Sequence, residues 1–521
     1  TIVFFEDMNG DYVYTAGTDN ILANVGQQGL GGNQIVGGAV SGTLSFSNSP
    51  IYAFVDSTNV IHETDETNNM AASVAQCLTG NPIPTESFAP TLEWKWSVPY
   101  HQVMMTPLVI DVNNDAIPDI IFTTFEGGAY TGAGVVRAIS GDDSGYLWSN
   151  STANVDAGSH LAAGDINHDG LIEIVGVDTS GRIVVLNGST NNSVAEVIWR
   201  STETVTSTYS EPVLADLNQD GTAEIIVAQR AFSINGENLD LIWEVPDDNN
   251  YYYPSVVADV DLDGAPEIIS GHAIYDTNTI YSGDGSPTIS LGLGGYVGVA
   301  NLDDEPYPEI VVVHDSDVYL LEHTGEIIWQ REIPDGAEAN RNHGGAPTIA
   351  DVDGDGDLEI GVAGGYYYVV FEADGNELWR STNGLVDDYS SYRTGSAVFD
   401  FDGDGRVEVV YSDENTLFVF DGRNGTVLWS TPSSSGTLFE LPVIADVDAD
   451  GHAEIIMSAN NYNGGSQRGI RIYGDDANWV STRRIWNQQS YHITNINDDG
   501  TIPQFESNNW EIYNNYRQNV L

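Results

Sequence analysis

An acidic nonapeptide recurs eight times along the chain, and any fold assigned to this sequence has to explain all eight copies. The most regular copy is Asp351–Glu359, DVDGDGDLE, with an acid at every odd position. Carboxylates this close repel one another, and withdrawing them from water is costly unless a positive charge accompanies them. A cation is therefore expected as part of the fold. Hard oxygen donors at Asp351, Asp353 and Asp355, with Gly356 for a sharp turn and Glu359 closing the loop, suit Ca2+. An EF-hand places its closing Glu at position twelve on a helix. Here the ninth residue runs straight into the apolar EIGVAG, so the loop is expected between two strands.

The other seven copies are Asp111-Asn113-Asp115-Asp119, Asp165-Asn167-Asp169-Glu173, Asp216-Asn218-Asp220-Glu224, Asp259-Asp261-Asp263-Glu267, Asn301-Asp303-Glu305-Glu309, Asp400-Asp402-Asp404-Glu408 and Asp446-Asp448-Asp450-Glu454. First ligands lie 54, 51, 43, 42, 50, 49 and 46 residues apart, a period that signals a solenoid or a propeller. Each loop is preceded by an apolar run (PVLAD, PTIAD, PVIAD) and followed by another (EIIVA, EIGVAG, EIIMS). A third run (RIVVLNG, LFVFDG) and a fourth ending near Trp (EVIWR, EIIWQ, TVLWS) complete each unit. Four antiparallel strands per repeat is the content of a propeller blade. Trp148, Trp199, Trp243, Trp329, Trp379 and Trp429 keep the same time, while the fourth repeat has Ile280-Tyr281 near the expected place. The expected fold is all-β: an eight-bladed propeller, or a seven-bladed one if a degenerate copy is not a full blade. LEWKWSV at 92–98 resembles an outer fourth strand but precedes the first loop, so it is expected to complete the last blade and close the ring.

Formal net charge is -61, from 77 acidic and 16 basic residues, so nucleic acid and anionic membrane, which need a basic patch, are not expected partners. Eight Ca2+ would cancel sixteen of those charges. One cysteine, Cys77, allows no internal disulfide. Calcium would do the stapling instead, and millimolar calcium is an extracellular resource, which places the protein outside the cell or on its surface. No run of eighteen apolar residues occurs. Starting at Thr1 without Met, the chain reads as a processed or truncated product.

Residues from about Pro90 to Asn519 resemble the FG-GAP or VCBS repeats, the integrin-α-like calcium propellers of bacterial surface proteins. ADVDADGHAEIIMSAN and FDFDGDGRVEVVYSDE carry the likeness. The resemblance implies side-chain oxygens at loop positions one, three, five and nine and a backbone carbonyl at seven, with up to eight Ca2+. Ala116 and Pro306 stand where Gly is usual, and the fifth loop begins with Asn301.

The expected organisation is an N-terminal module at 1–77, a linker at 78–90, the propeller at 91–480 and a closing segment or tail at 481–521. IYAFVDSTNVIHETDETNNMA, residues 51–71, resembles the last strands of a CARDB-type immunoglobulin-like sandwich. A sandwich missing its first strands leaves an open edge, so either the module is truncated or another chain supplies a strand. The tail NNWEIYNNYRQNVL is the candidate donor, and head-to-tail contacts that do not close would make filaments. The function expected is a structural or adhesive surface component that binds other copies of itself or surface glycans. The alternative is a carbohydrate-binding propeller or polysaccharide lyase. His101, His160, Glu211, Glu440, Arg341 and His343 precede inner strands and could line a channel mouth, but no pair has a revealing spacing, and no catalytic residue is assigned. Asp7-Asn9-Asp11 and Asn495–Pro503 are incomplete loops and are read as polar turns.

Overall fold

The computed structural model describes residues 2–6, 20–25, 51–55, 70–72 and 88–521, the last span without 98–101, 128–129, 191, 206–208, 246–253, 283–285, 304, 335–342, 389–393, 437–438 and 463. Two compact units are present, Thr1–Thr85 and Glu86–Val520.

In the first unit Ile2–Glu6, Asn20–Val25, Ile51–Val55 and Met70–Ala72 make one antiparallel sheet, in the order second, first, third, fourth. The second sheet that a CARDB-like sandwich requires is not among the described residues. Cys77 and the Asp7-Asn9-Asp11 turn also lie outside them.

The second unit is an eight-bladed β-propeller of four-stranded antiparallel sheets. Seven blades are contiguous in sequence. Their first strands are Leu108–Ile110, Ala162–Gly164, Pro212–Ala215, Val256–Ala258, Tyr296–Ala300, Thr348–Ala350 and Ser396–Phe399. The eighth pairs Val443–Ala445, Glu454–Ala459 and Gly469–Gly474 with Thr91–Trp96, the strand expected to close the ring. Phe88, just ahead of that strand, packs on Phe401 and Trp479 at 5.9 and 5.5 Å between ring centres.

First and second strands are covered on both faces by neighbouring blades, so they read as unbroken apolar runs. Ile120, Val175, Val311, Ile360 and Val410 are all fully buried. Four of the periodic tryptophans tie their blade to the next. Trp148 Nε1 donates to the Gly188 carbonyl (2.8 Å), Trp199 to Gly236 (3.1 Å), Trp329 to Ala373 (2.8 Å) and Trp379 to Gly422. Each acceptor lies just past the third strand of the following blade, where the chain turns to the fourth. In the fourth blade, which has no such Trp, a helical turn at Thr277–Ser282 precedes a two-residue outer strand, Ile289–Ser290.

The C-terminal segment is not a free tail. Residues 481–520 thread through the ring and bond to the inner strands. Val109 and Trp486 exchange both backbone bonds, as do Ile349 and Tyr516. Ala163 donates to Asn487, Leu214 to the Gln488 side chain and Asn301 to the Asn514 side chain, while Asn519 donates to the Ile444 carbonyl at 3.0 Å. Two buried arginines brace this plug. Arg483 donates to the carbonyls of Ile493 (2.7 Å) and Ile496, and Arg517 donates to Ser396 (2.9 Å) and Gln489 while its guanidinium stacks over Trp486. The tail expected to leave the molecule as a donor strand is instead held by its own propeller, because Trp510, Tyr516 and Arg517 are buried there.

Candidate metal centres

Each acidic loop joins the first and second strands of a blade, so all eight lie at one end of the ring. Their backbone is tightly constrained. In seven of the loops positions four and six take positive φ, as at His168 (57°) and Gly170 (83°), or Gly354 (78°) and Gly356 (102°). This folds the amides of positions five and six onto the first acid. Asp169 and Gly170 donate to Asp165 at 3.1 and 2.8 Å, and Asp404 and Gly405 donate to Asp400 at 3.0 and 2.8 Å. Glycine at position six is what positive φ favours. Ala116 adopts it regardless, at φ 71°, so the first loop keeps the fold at a cost in strain.

The ninth acid has a role that the spacing did not reveal. In every loop one of its oxygens accepts the amide of the second residue: Val112 to Asp119 (3.0 Å), Ile166 to Glu173 (3.2 Å), Leu217 to Glu224 (2.9 Å) and Val260 to Glu267 (2.9 Å). Leu302 to Glu309 (2.6 Å), Val352 to Glu359 (2.8 Å), Phe401 to Glu408 (3.0 Å) and Val447 to Glu454 (2.7 Å) repeat it. This bond fixes one carboxylate oxygen and leaves the other facing the loop interior. At Asp119, Glu267, Glu309 and Glu359 that second oxygen is buried and accepts no hydrogen bond. A buried carboxylate oxygen with no partner is costly. Burial, reinforced by the neighbouring aspartates, pushes Asp119, Glu173, Glu267 and Glu359 up to about 8 and Glu454 up to about 10. Glu408 is raised for the same reasons.

Four loops gather three or more carboxylate oxygens within 4.8 Å of one another: Asp259-Asp261-Asp263-Glu267, Asp351-Asp353-Asp355, Asp400-Asp402-Asp404 and Asp446-Asp448-Glu454. In the Asp111, Asp165 and Asp216 loops the third position is Asn113, Asn167 or Asn218, a neutral oxygen donor in the same place. An all-oxygen donor set with unpartnered buried oxygens fits a hard divalent cation such as Ca2+. The residues that would hold it are those at positions one, three, five and nine.

The fifth loop differs. Asn301 turns its Nδ2 to the Glu305 carbonyl at 2.6 Å, and Pro306 has no amide to offer the first residue. This loop satisfies part of itself with a neutral side chain.

At the opposite end of the ring His160 and Glu211 meet, Nε2 to Oε1, at 4.0 Å, both about 1 % exposed. Burial, with Arg517 nearby, lowers His160 to about 3, so its imidazole is neutral. Glu440 is buried and accepts the Gly436 and Phe439 amides (3.1 and 3.0 Å) and the Asn460 side-chain amide. His343 lies elsewhere, 3.6 Å from Asp315 on the surface. His101 and Arg341 fall outside the described residues. The tyrosines at 251–253 also fall outside them. Tyr368 is a buried strand residue whose hydroxyl meets Thr348 (3.1 Å) and Ser396 (2.7 Å).

A family model described as FG-GAP-like repeat matches residues 165–227 and 400–457, each running from one acidic loop through the next. The chain is similar to the crystal structure of the V. cholerae biofilm matrix protein Bap1, with TM-score 0.69 and 23% identity over 83% of this chain and 99% of that one. It is also similar to the Bacillus licheniformis rhamnogalacturonan lyase PL11, with TM-score 0.52 and 18% identity over 91% and 85%. No curated protein matches the chain by sequence. The chain is an eight-bladed propeller, closed into a ring, in which the stretches 165–227 and 400–457 are FG-GAP-like.

Proposed function

We propose that this chain is an extracellular adhesion or matrix protein whose propeller is stabilised by calcium bound along one rim. The observation that carries the calcium reading is the repeated ninth carboxylate, anchored through one oxygen and buried without a partner at the other. An ion there would neutralise each loop and tie the first two strands of its blade. Seven ions are proposed, the eight loops less the one that begins with Asn301. Fold-level likeness to a biofilm matrix protein and the demand for millimolar calcium support a place outside the cell. Among the described residues no helix is long and apolar enough to cross a membrane.

Partners would be other copies of the chain or surface glycans. Because the C-terminal segment is occupied in its own ring, strand addition is assigned to the N-terminal sheet, whose edge strands among the described residues are Asn20–Val25 and Met70–Ala72. Negative-stain microscopy with calcium and with chelator tests this. Fibres or paired particles support it, and monodisperse single particles in calcium refute it.

Carbohydrate binding is the second reading, favoured by one patch. Tyr130, Tyr209, Tyr462 and Phe439 cluster at the end of the ring away from the acidic loops. Tyr130 and Tyr462 are 4.9 Å apart, and Tyr462 is 47% exposed. Aromatic faces beside polar groups suit sugar rings. A glycan array separates this reading from assembly, and absorbance of unsaturated products from pectic polysaccharide tests for a lyase.

A further inference from the structure

The eighth blade departs from the other blades at two positions, and the departures compensate. In five other blades the third-strand residue paired with the ninth acid carries a polar side chain: Ser140 opposite Asp119, Asn187 opposite Glu173, Asp276 opposite Glu267, Glu372 opposite Glu359 and Asp421 opposite Glu408. In the eighth it is Gly474, opposite Glu454. The fourth strand departs in the opposite sense. Just before the Trp, at the bulge, six blades carry Leu147, Ile198, Ile242, Ile328, Leu378 and Leu428, whereas the closing strand carries Glu93 before Trp94.

Glu93 fills the space left by Gly474. A Cβ on Gly474 would collide with the Glu93 carboxylate and lie 3.5 Å from Cγ of Glu454, so both acids lie on one face of the sheet. Oε1 of Glu93 is buried and accepts no hydrogen bond, and Asp476, Asp448 and Asp450 are the charges around it. Within the loop Asp446, 1 % exposed, has its own unpartnered buried Oδ1, aimed into a cluster whose carboxylate oxygens lie within 4.8 Å. The other oxygen of Asp446 is taken by Arg484 at 3.0 Å, a cation that opposes ion binding there.

We propose that Glu93 makes the Asp446–Glu454 site a latch, in which a bound divalent cation ties the ring-closing strand Thr91–Trp96 to the eighth blade. Elsewhere the acidic side chains around each loop come from consecutive stretches of chain. Here one comes from a strand more than three hundred and fifty residues away in sequence, so ion binding and ring closure become one event. The proposal rests on the calcium reading above.

Hydrogen exchange of the full chain, with calcium chloride and with chelator, tests it. In the wild type, calcium should slow exchange in both the 88–97 and 351–363 segments, and 88–97 should gain protection at the same calcium concentration as 446–454. In Glu93→Gln, 351–363 should keep its calcium response while that of 88–97 falls about tenfold. Full protection of 88–97 in Glu93→Gln, beside a normal response at 351–363, overturns the latch alone. No calcium response at any loop of the wild type overturns the calcium reading and the latch with it. The wild-type titration needs no variant, so a Glu93→Gln protein that fails to fold does not spare the proposal.

Discussion

Stripping divalent cations from this protein should reverse the sign of its pH–stability profile. Without a cation, Glu173, Glu267 and Glu359 hold their protons up to about pH 8, while the unfolded chain releases them near the ordinary glutamate value of 4.5. A carboxyl raised in the folded state contributes stability that is complete below its unfolded pKa and is lost as pH rises through the folded one. Each group therefore loses about 1.4 kcal/mol per pH unit in that window, or about 3 kcal/mol by neutral pH. Whole domains are stable by only about 5–15 kcal/mol. Two or three such groups are enough to bring the cation-free ring to the edge of unfolding at neutral pH. Calcium bound as proposed would displace those protons, and each site would add about 2.7 kcal/mol when the ion is in hundredfold excess over Kd. With calcium, stability should therefore climb as pH rises. Scanning calorimetry from about pH 5 to about pH 8, in chelator and in calcium, reads both slopes. Parallel profiles in the two conditions, or a cation-free Tm that rises with pH, would refute the argument.

Further predictions concern single sites. Elemental analysis of the calcium-saturated protein should find seven ions per chain, and Asn301→Asp should raise the count; a wild-type count of eight would contradict the role given to Asn301 and Pro306. Ala116→Gly should stabilise the protein by about 1 kcal/mol, since it removes a Cβ from left-handed backbone, and an unchanged or lower denaturation midpoint would count against that strain. Trp379→Ala should cost about 3–5 kcal/mol, because it deletes both a buried ring and the bond to Gly422 in the next blade. Removing residues 508–521 should lower Tm in one cooperative step, since Trp510, Tyr516 and Arg517 serve several blades at once. A truncated protein that melts like the full chain would show the plug to be dispensable.

The ring could be read from periodicity because a blade is a local object. Its four strands, its acidic loop and its Trp all fall within about fifty residues, so one pattern repeated eight times states the architecture. Closure by Thr91–Trp96 was also legible, since the strand has the fourth-strand pattern with no loop before it. The positions proposed as ligands rest on the alternation of oxygen donors. Nothing in that alternation, however, says that Glu359 spends one oxygen on the Val352 amide, because the same Glu would satisfy a loop that coordinated through both.

What sequence alone determined is the repeating unit and the number of loops, because each depends on residues close together in the chain. The tertiary structure alone decided where the C-terminal segment goes and why Glu93 is acidic. Asn508–Leu521 is polar and aromatic enough to serve as a donor strand or as a plug, and only the ring, with unpaired inner strands facing its axis, selects the plug. Glu93 reads as an ordinary surface acid until the eighth blade sets it over Gly474, beside carboxylates from the far end of the chain. Both outcomes depend on contacts across hundreds of residues, which local pattern does not encode.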